Sequence, residues 1–158
     1  MAKFKLITCA KEFSSLAEQW NDLYKRSNTK TVFQSYDWNF QWYINAHTTD
    51  KLFIILMFNQ SPNSLDAIFP FVIDKNKTLR FIGDIHSDYS NFLITDDLTS
   101  RLYELFRMLK KIIAESKDIT SIELKNITQH NPFIGLLSFM LDYRQTTFNT
   151  NGFSSISI

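Results

Sequence analysis

The residue types able to do chemistry concentrate in one stretch, Gly83-Asp84-Ile85-His86-Ser87-Asp88-Tyr89-Ser90-Asn91, which holds two carboxylates, an imidazole, a phenol and an amide. His86 and Asp88 are the groups there that could take a proton as a general base; Tyr89 and Asn91 could orient a polar substrate. Apolar segments 78–82 and 92–94 flank the stretch and read as strands. It is therefore a loop held by rigid elements, where binding groups tend to be presented. The other reading is an ordinary polar turn in which Asp88 and Asn91 bond the local backbone.

Other catalytic sets do not emerge. His47, His86 and His130 are scattered, and no His, Cys or carboxylate groups have the spacing of a zinc site. There is no nucleophile-elbow, P-loop or dinucleotide-binding pattern. The only glycines are Gly83, Gly135 and Gly152, so no glycine-rich loop can bring backbone amides against a pyrophosphate.

The elements that must position the loop follow from periodicity. Segment 5–9 reads as an opening strand, with Cys9 as a small buried residue. Ser15-Leu16-Ala17-Glu18 fits a capping box, and Leu16, Trp20, Leu23 and Tyr24 continue as one helical stripe. Ser35 is a good N-cap for a second helix, with Asp37 in its first turn. Trp38 and Trp42 lie one turn apart on that helix and read as core anchors, and Trp38 is also a substrate-binding candidate.

Segment 52–58 is a continuous apolar run, as a strand buried on both faces requires. A turn over 61–64 leads to a partner strand at 67–73, in which Pro70 marks a bulge or an unpaired position. Leu98, Leu102, Leu105, Phe106, Leu109, Ile112 and Ile113 form the clearest helical stripe, with Arg107, Lys110 and Lys111 on a solvated face. Segment 119–124 reads as a strand, Asn131-Pro132 as the start of a last helix, and 153–158 as a closing strand. The order implies a mixed α/β fold: one domain over residues 1–158, with a largely antiparallel sheet and helices on both faces.

Composition narrows the function classes. The 158 residues carry 17 basic and 16 acidic side chains, a net charge of +1, which gives no electrostatic case for nucleic acid or an anionic membrane. A lone cysteine cannot form an intrachain disulfide. No apolar run is long enough to span a bilayer, and no secretory leader pattern opens the chain, so the expected location is the cytoplasm.

Several motifs carry a resemblance when taken in order. They are Val32-Phe33-Gln34-Ser35-Tyr36-Asp37-Trp38 with Trp42 a turn later, Ile68-Phe69-Pro70-Phe71, Leu79-Arg80-Phe81-Ile82-Gly83, and Asp88-Tyr89-Ser90-Asn91-Phe92-Leu93. From about Trp20 to Ile127 the chain resembles the N-terminal half of CelD-like, FemAB-related acetyltransferases of the GNAT type, often associated with bacterial polysaccharide production. Asn91 stands where that family often carries a second acid.

The resemblance implies two tandem GNAT-like halves with a substrate cleft between them. The second half would hold the acyl-CoA pyrophosphate, on backbone amides at a strand-to-helix turn. This chain is then expected to be the substrate-side half of an N-acyltransferase acting on an amine of a sugar or amino-acid derivative. His86 and Asp88 are its catalytic candidates, and Trp38, Tyr89 and Asn91 its substrate-binding ones. Acyl-CoA belongs to the complete protein and is not expected to bind this chain alone. The expected partner is a C-terminal half or a second copy of the chain. The alternative is a non-catalytic module kept for binding or assembly.

Overall fold

In the computed structural model, alternation along the central strands decides which core each side chain enters. Strand β2 (Lys51–Phe58) sends Leu52, Ile54 and Leu56 into one core and Phe53, Ile55 and Met57 into the other. Strand β3 (Leu65–Ile73) is buried throughout and divides its residues in the same way. Two buried faces explain why these strands read as unbroken apolar runs. The structure describes residues 3–28, 30–46, 48–58, 64–95, 101–128, 145–148 and 153–157, with Thr128 and the last two segments described by backbone alone.

The remaining strands are β1 (Lys3–Ile7), β4 (Thr78–Phe81), β5 (Leu93–Ile94), β6 (Ser121–Thr128), β7 (Gln145–Phe148) and β8 (Phe153–Ser157). They form one eight-stranded sheet in the order β1-β2-β3-β4-β6-β8-β7, with β5 paired to β3. Every pairing is antiparallel except β4 with β6. Helices cover both faces, so the structure has the mixed α/β architecture that the sequence implied.

On one face lie α1 (Ala10–Ser14), α2 (Ala17–Arg26) and α3 (Tyr36–Asn45). Phe13, Leu16, Trp20, Leu23 and Tyr36 pack there against the even-numbered side chains of β2. The Trp20 indole N–H donates to the Gln34 carbonyl at 2.9 Å, which ties α2 to the turn that leads into α3. Ser35 caps α3 by accepting from the Trp38 amide, as its position predicts.

The other face is covered by α4 (Leu102–Glu115), which buries Leu105, Phe106, Leu109, Ile112 and Ile113. Phe106 there joins a ring cluster with Phe69 and Phe92, at centroid separations of 6.1 and 5.7 Å. Each such buried side chain contributes about 2 kcal/mol of transfer free energy.

Two expectations change. Cys9 is exposed, because the first strand ends at Ile7 and Cys9 sits at the N-cap position of α1. The capping box at Ser15 does not form: Ser15 closes α1, its hydroxyl donating to the Glu12 carbonyl at 2.7 Å, and Leu16 precedes α2. A capping box occurs instead at Thr31 and Gln34, around the 3-10 turn Val32–Gln34.

Pro70 sits in register opposite Ile54 without a bulge. Its carbonyl faces the other neighbour, accepting from Ile82 N–H at 2.9 Å. Backbone N–H and C=O of one antiparallel residue point the same way, so the donor that proline lacks falls where β4 has ended and β5 has not begun. The helix expected from Asn131, most of the turn over 61–64, and His47, His130 and Leu98 lie outside the described residues.

Candidate functional site

The site grows from the end of β4. Leu79 and Phe81 enter the α4-side core, so the intervening Arg80 projects to the opposite face, toward the end of α3. There its guanidinium lies between two carboxylates, with Nη2 at 2.8 Å from Asp50 and Nη1 at 3.2 Å from Asp84. The Asp84 side chain is fully buried, and its Oδ2 has no hydrogen-bond partner. Burial pushes the Asp84 carboxyl above the usual range, partly offset by the charges of Arg80 and Lys125.

A raised pKa in the folded state means that Asp84 favours folding below its unfolded pKa, and this contribution is lost as pH rises through the folded value. Asp84→Asn, which resembles the neutral form, should therefore gain stability relative to the natural protein between pH 4 and pH 7. Denaturant midpoints measured across that range check it. A difference that is flat or opposite in slope would contradict the assignment.

Gly83 makes the turn out of β4 with φ of +71°, in the left-handed region. A Cβ there would lie 3.2 Å from Trp42 Cδ1 and 3.3 Å from Trp38 Nε1, so the glycine lets the loop lie directly on the indoles of α3. The 3-10 turn Asp84–His86 follows. Trp42 Nε1–H donates to His86 Nδ1 at 2.9 Å. Indole nitrogen is only a donor, so Nδ1 must be the unprotonated nitrogen and the ring hydrogen sits on Nε2. In this arrangement His86 offers a donor, and its basic lone pair is already used.

The other candidates spread along the loop. Asp88 is exposed. Tyr89 is also exposed, its ring 6.2 Å from that of Phe33, and Phe33 packs edge-on against Trp38 at 5.0 Å. Asn91 Oδ1 accepts from the next residue's N–H at 2.8 Å, as a turn residue would. The structure thus brings His86, Tyr89 and Trp38 onto one side of α3, whereas Asn91 serves the backbone.

Sequence reasoning missed Arg80, Asp50 and Trp42 as parts of one site. The spacing of Arg80 and Asp84 was a readable signal; the Asp50 partner, 30 positions from Arg80, was not. With Asn45, Ala46, Thr48, Ile85 and His86, Trp42 and Arg80 line an open cleft of about 370 Å³.

Asn126 closes the other side of the loop. Strands β4 and β6 pair only at Thr78 with Ser121 and Leu79 with Ile122. Beyond that point the loop lies against β6. Asn126, itself left-handed at φ of 61°, donates Nδ2–H to the carbonyls of Asp84 (2.9 Å) and Ser87 (2.7 Å), and its own carbonyl accepts from Ser90 N–H at 2.9 Å.

No protein-family model and no curated protein matches the chain. Solved structures do. The aminoglycoside acetyltransferase AAC(6')-Ib, in complex with coenzyme A and kanamycin, superposes with a TM-score of 0.56 at 8% identity, over 100% of this chain and 94% of that one. The N-acetyltransferase PseH of Campylobacter jejuni, in complex with acetyl coenzyme A, gives 0.54 at 14% identity, over 100% and 98%. The spermidine N-acetyltransferase of Vibrio cholerae, in complex with CoA and spermine, gives 0.52 at 12%, over 99% and 94%. The fold is that of GNAT-type acetyltransferases, and it is matched over nearly the whole length of each.

Those neighbours raise the question of whether residues here fit an acyl-CoA. The space beside β4 and β6 is taken by the chain's own segment 84–90, held by three hydrogen bonds to Asn126. At the start of α4, Arg101 pairs with Asp66 (3.3 Å) and lies 3.9 Å from Glu104. Anionic groups at a helix start repel a pyrophosphate that the same position would otherwise attract. Among the described residues, the start of α4 therefore offers no unpaired cation to a pyrophosphate.

Proposed function

We propose that this chain is the acceptor-side module of an N-acyltransferase, working with a second acyltransferase-fold unit that holds the acyl-CoA. The observation that carries this reading is the hydrogen-bonded segment 84–90, which lies beside the parallel pair of β4 and β6 while leaving the Trp42–Arg80–His86 cleft open. The similar folds belong to enzymes that acetylate amines, and the acceptor proposed for this chain is an amine on a sugar or amino-acid derivative. The second unit would be a further domain or a second copy of the chain, with the pair acting in bacterial polysaccharide or envelope synthesis.

Within that reading His86 presents Nε2–H to the acceptor and holds it, instead of removing its proton. Asp88, exposed on the same loop, is left as the group able to take a proton from the amine as it attacks the thioester. Trp38 and Tyr89 shape the approach from the Phe33 side.

One observation favours the second reading, a module that binds without catalysing: the His86 lone pair is occupied by the Trp42 indole. Incubating the purified chain with acetyl-CoA and a panel of amino sugars and amino acids, and following release of the CoA thiol, tests the proposal. The expected result is no amine-dependent release by this chain alone. Amine-dependent turnover would show that the chain carries its own acyl-CoA site and would overturn the division of labour.

A further inference from the structure

We infer that the cleft at the end of α3 binds a pyranose ring that carries no anionic group, recognised by one apolar face and a rim of hydroxyls. The inference starts from the charge balance. Arg80 is the cation lining the cleft, and both ends of its guanidinium are engaged by Asp50 and Asp84. Among the described residues lining the cleft no positive charge is left unpaired to attract a phosphate or carboxylate, and an anion entering here would meet two carboxylates behind one guanidinium.

What remains to meet a ligand is apolar surface and neutral hydrogen-bonding groups. Trp42 and Ile85, the latter 60% exposed, form the apolar wall. His86 contributes Nε2–H, because its Nδ1 is used by Trp42. The Thr48 hydroxyl accepts from the Asp50 amide, which leaves its hydrogen as a donor. Asn45 donates Nδ2–H to Gln41, leaving its Oδ1 as an acceptor. An aromatic wall with a few placed donors and acceptors is the pattern of a small-molecule site, and about 370 Å³ is within the range of such sites. A pyranose matches it: its axial C–H groups give a face for the indole and isoleucine, and its hydroxyls both donate and accept.

The inference rests on reading this cleft as the acceptor side, but binding is measured without any acyl donor, so its failure and the failure of the transfer reading remain distinguishable. The test is an NMR titration of the full chain that follows the indole N–H of Trp42. The probes are methyl β-D-glucopyranoside, N-acetylglucosamine, glucose 6-phosphate and adenosine, each to about 50 mM, since a cleft this open supports millimolar affinity. The expected result is a saturable shift with at least one neutral pyranose, and binding of the phosphorylated sugar that is at least about tenfold weaker.

Ile85→Ser, at an exposed position, should weaken the neutral pyranose about tenfold with an unchanged melting temperature. Thr48→Val should weaken it as well and gives a second reading of the same site. Three results would overturn the inference: no saturable shift with either neutral pyranose, tighter binding of glucose 6-phosphate, or a shift with adenosine alone.

Discussion

Arg80→Met should cost about 3–5 kcal/mol of folding stability, the largest loss expected of any single substitution around the cleft. The reason is the company that Arg80 keeps. The Asp50 and Asp84 side chains are only 7% and 0% exposed, and one guanidinium serves both. Methionine fills a similar volume, so the cost is the two buried carboxylates left without a cation, with little added from a cavity. Protonation relieves such a group, and burial already raises the Asp84 carboxyl. The deficit should therefore shrink as pH falls from 7 toward 4. Urea denaturation of both proteins at the two pH values measures it. A loss below about 1 kcal/mol at pH 7, the range of a surface ion pair, would show that the triad is solvated and not buried.

Gly83→Ala is expected to lower stability by about 2–3 kcal/mol, from two separable sources. A left-handed backbone costs a residue with a side chain about 1–2 kcal/mol, and the φ of +71° requires that conformation. The added methyl would also stand 3.2 Å from Trp42 and 3.3 Å from Trp38, close enough that the indoles must give way. Gly83→Asn separates the two, since asparagine tolerates the left-handed region but brings the same Cβ. If crowding matters, both variants shift the Trp42 indole N–H resonance, because the bond to His86 lengthens as the ring moves. Thermal melts and that resonance check the pair; an alanine variant as stable as the natural protein would contradict the close approach.

The parts of the fold legible in the sequence were those set by local repetition. The stripe of α4 and the continuous burial of β2 follow from spacing alone, and both are found. Ser35 was legible as a cap because the residues after it form a regular helix. The short helix α1 was not, since five residues complete little more than one turn and leave no periodic signal. Missing it moved Ser15 from the end of one helix to the start of another and placed the exposed Cys9 inside a strand.

At the site, the loop from Gly83 to Asn91 was legible from its composition, but its chemistry was not. What His86 can donate depends on Trp42, 44 positions away, and what Arg80 can attract depends on Asp50. Asn126 was invisible for a different reason: a left-handed asparagine within a strand has no local signature, yet its three hydrogen bonds hold the loop in place.

The division between an acceptor cleft in this chain and an acyl donor held elsewhere is tested most directly by titrating acetyl-CoA into the purified chain by calorimetry. With segment 84–90 bonded to Asn126 and acidic groups at the start of α4, no saturable heat is expected up to about 1 mM, so any affinity is weaker than about 4 kcal/mol. One-to-one binding in the micromolar range would contradict the division and make this chain an acyl-CoA site in its own right.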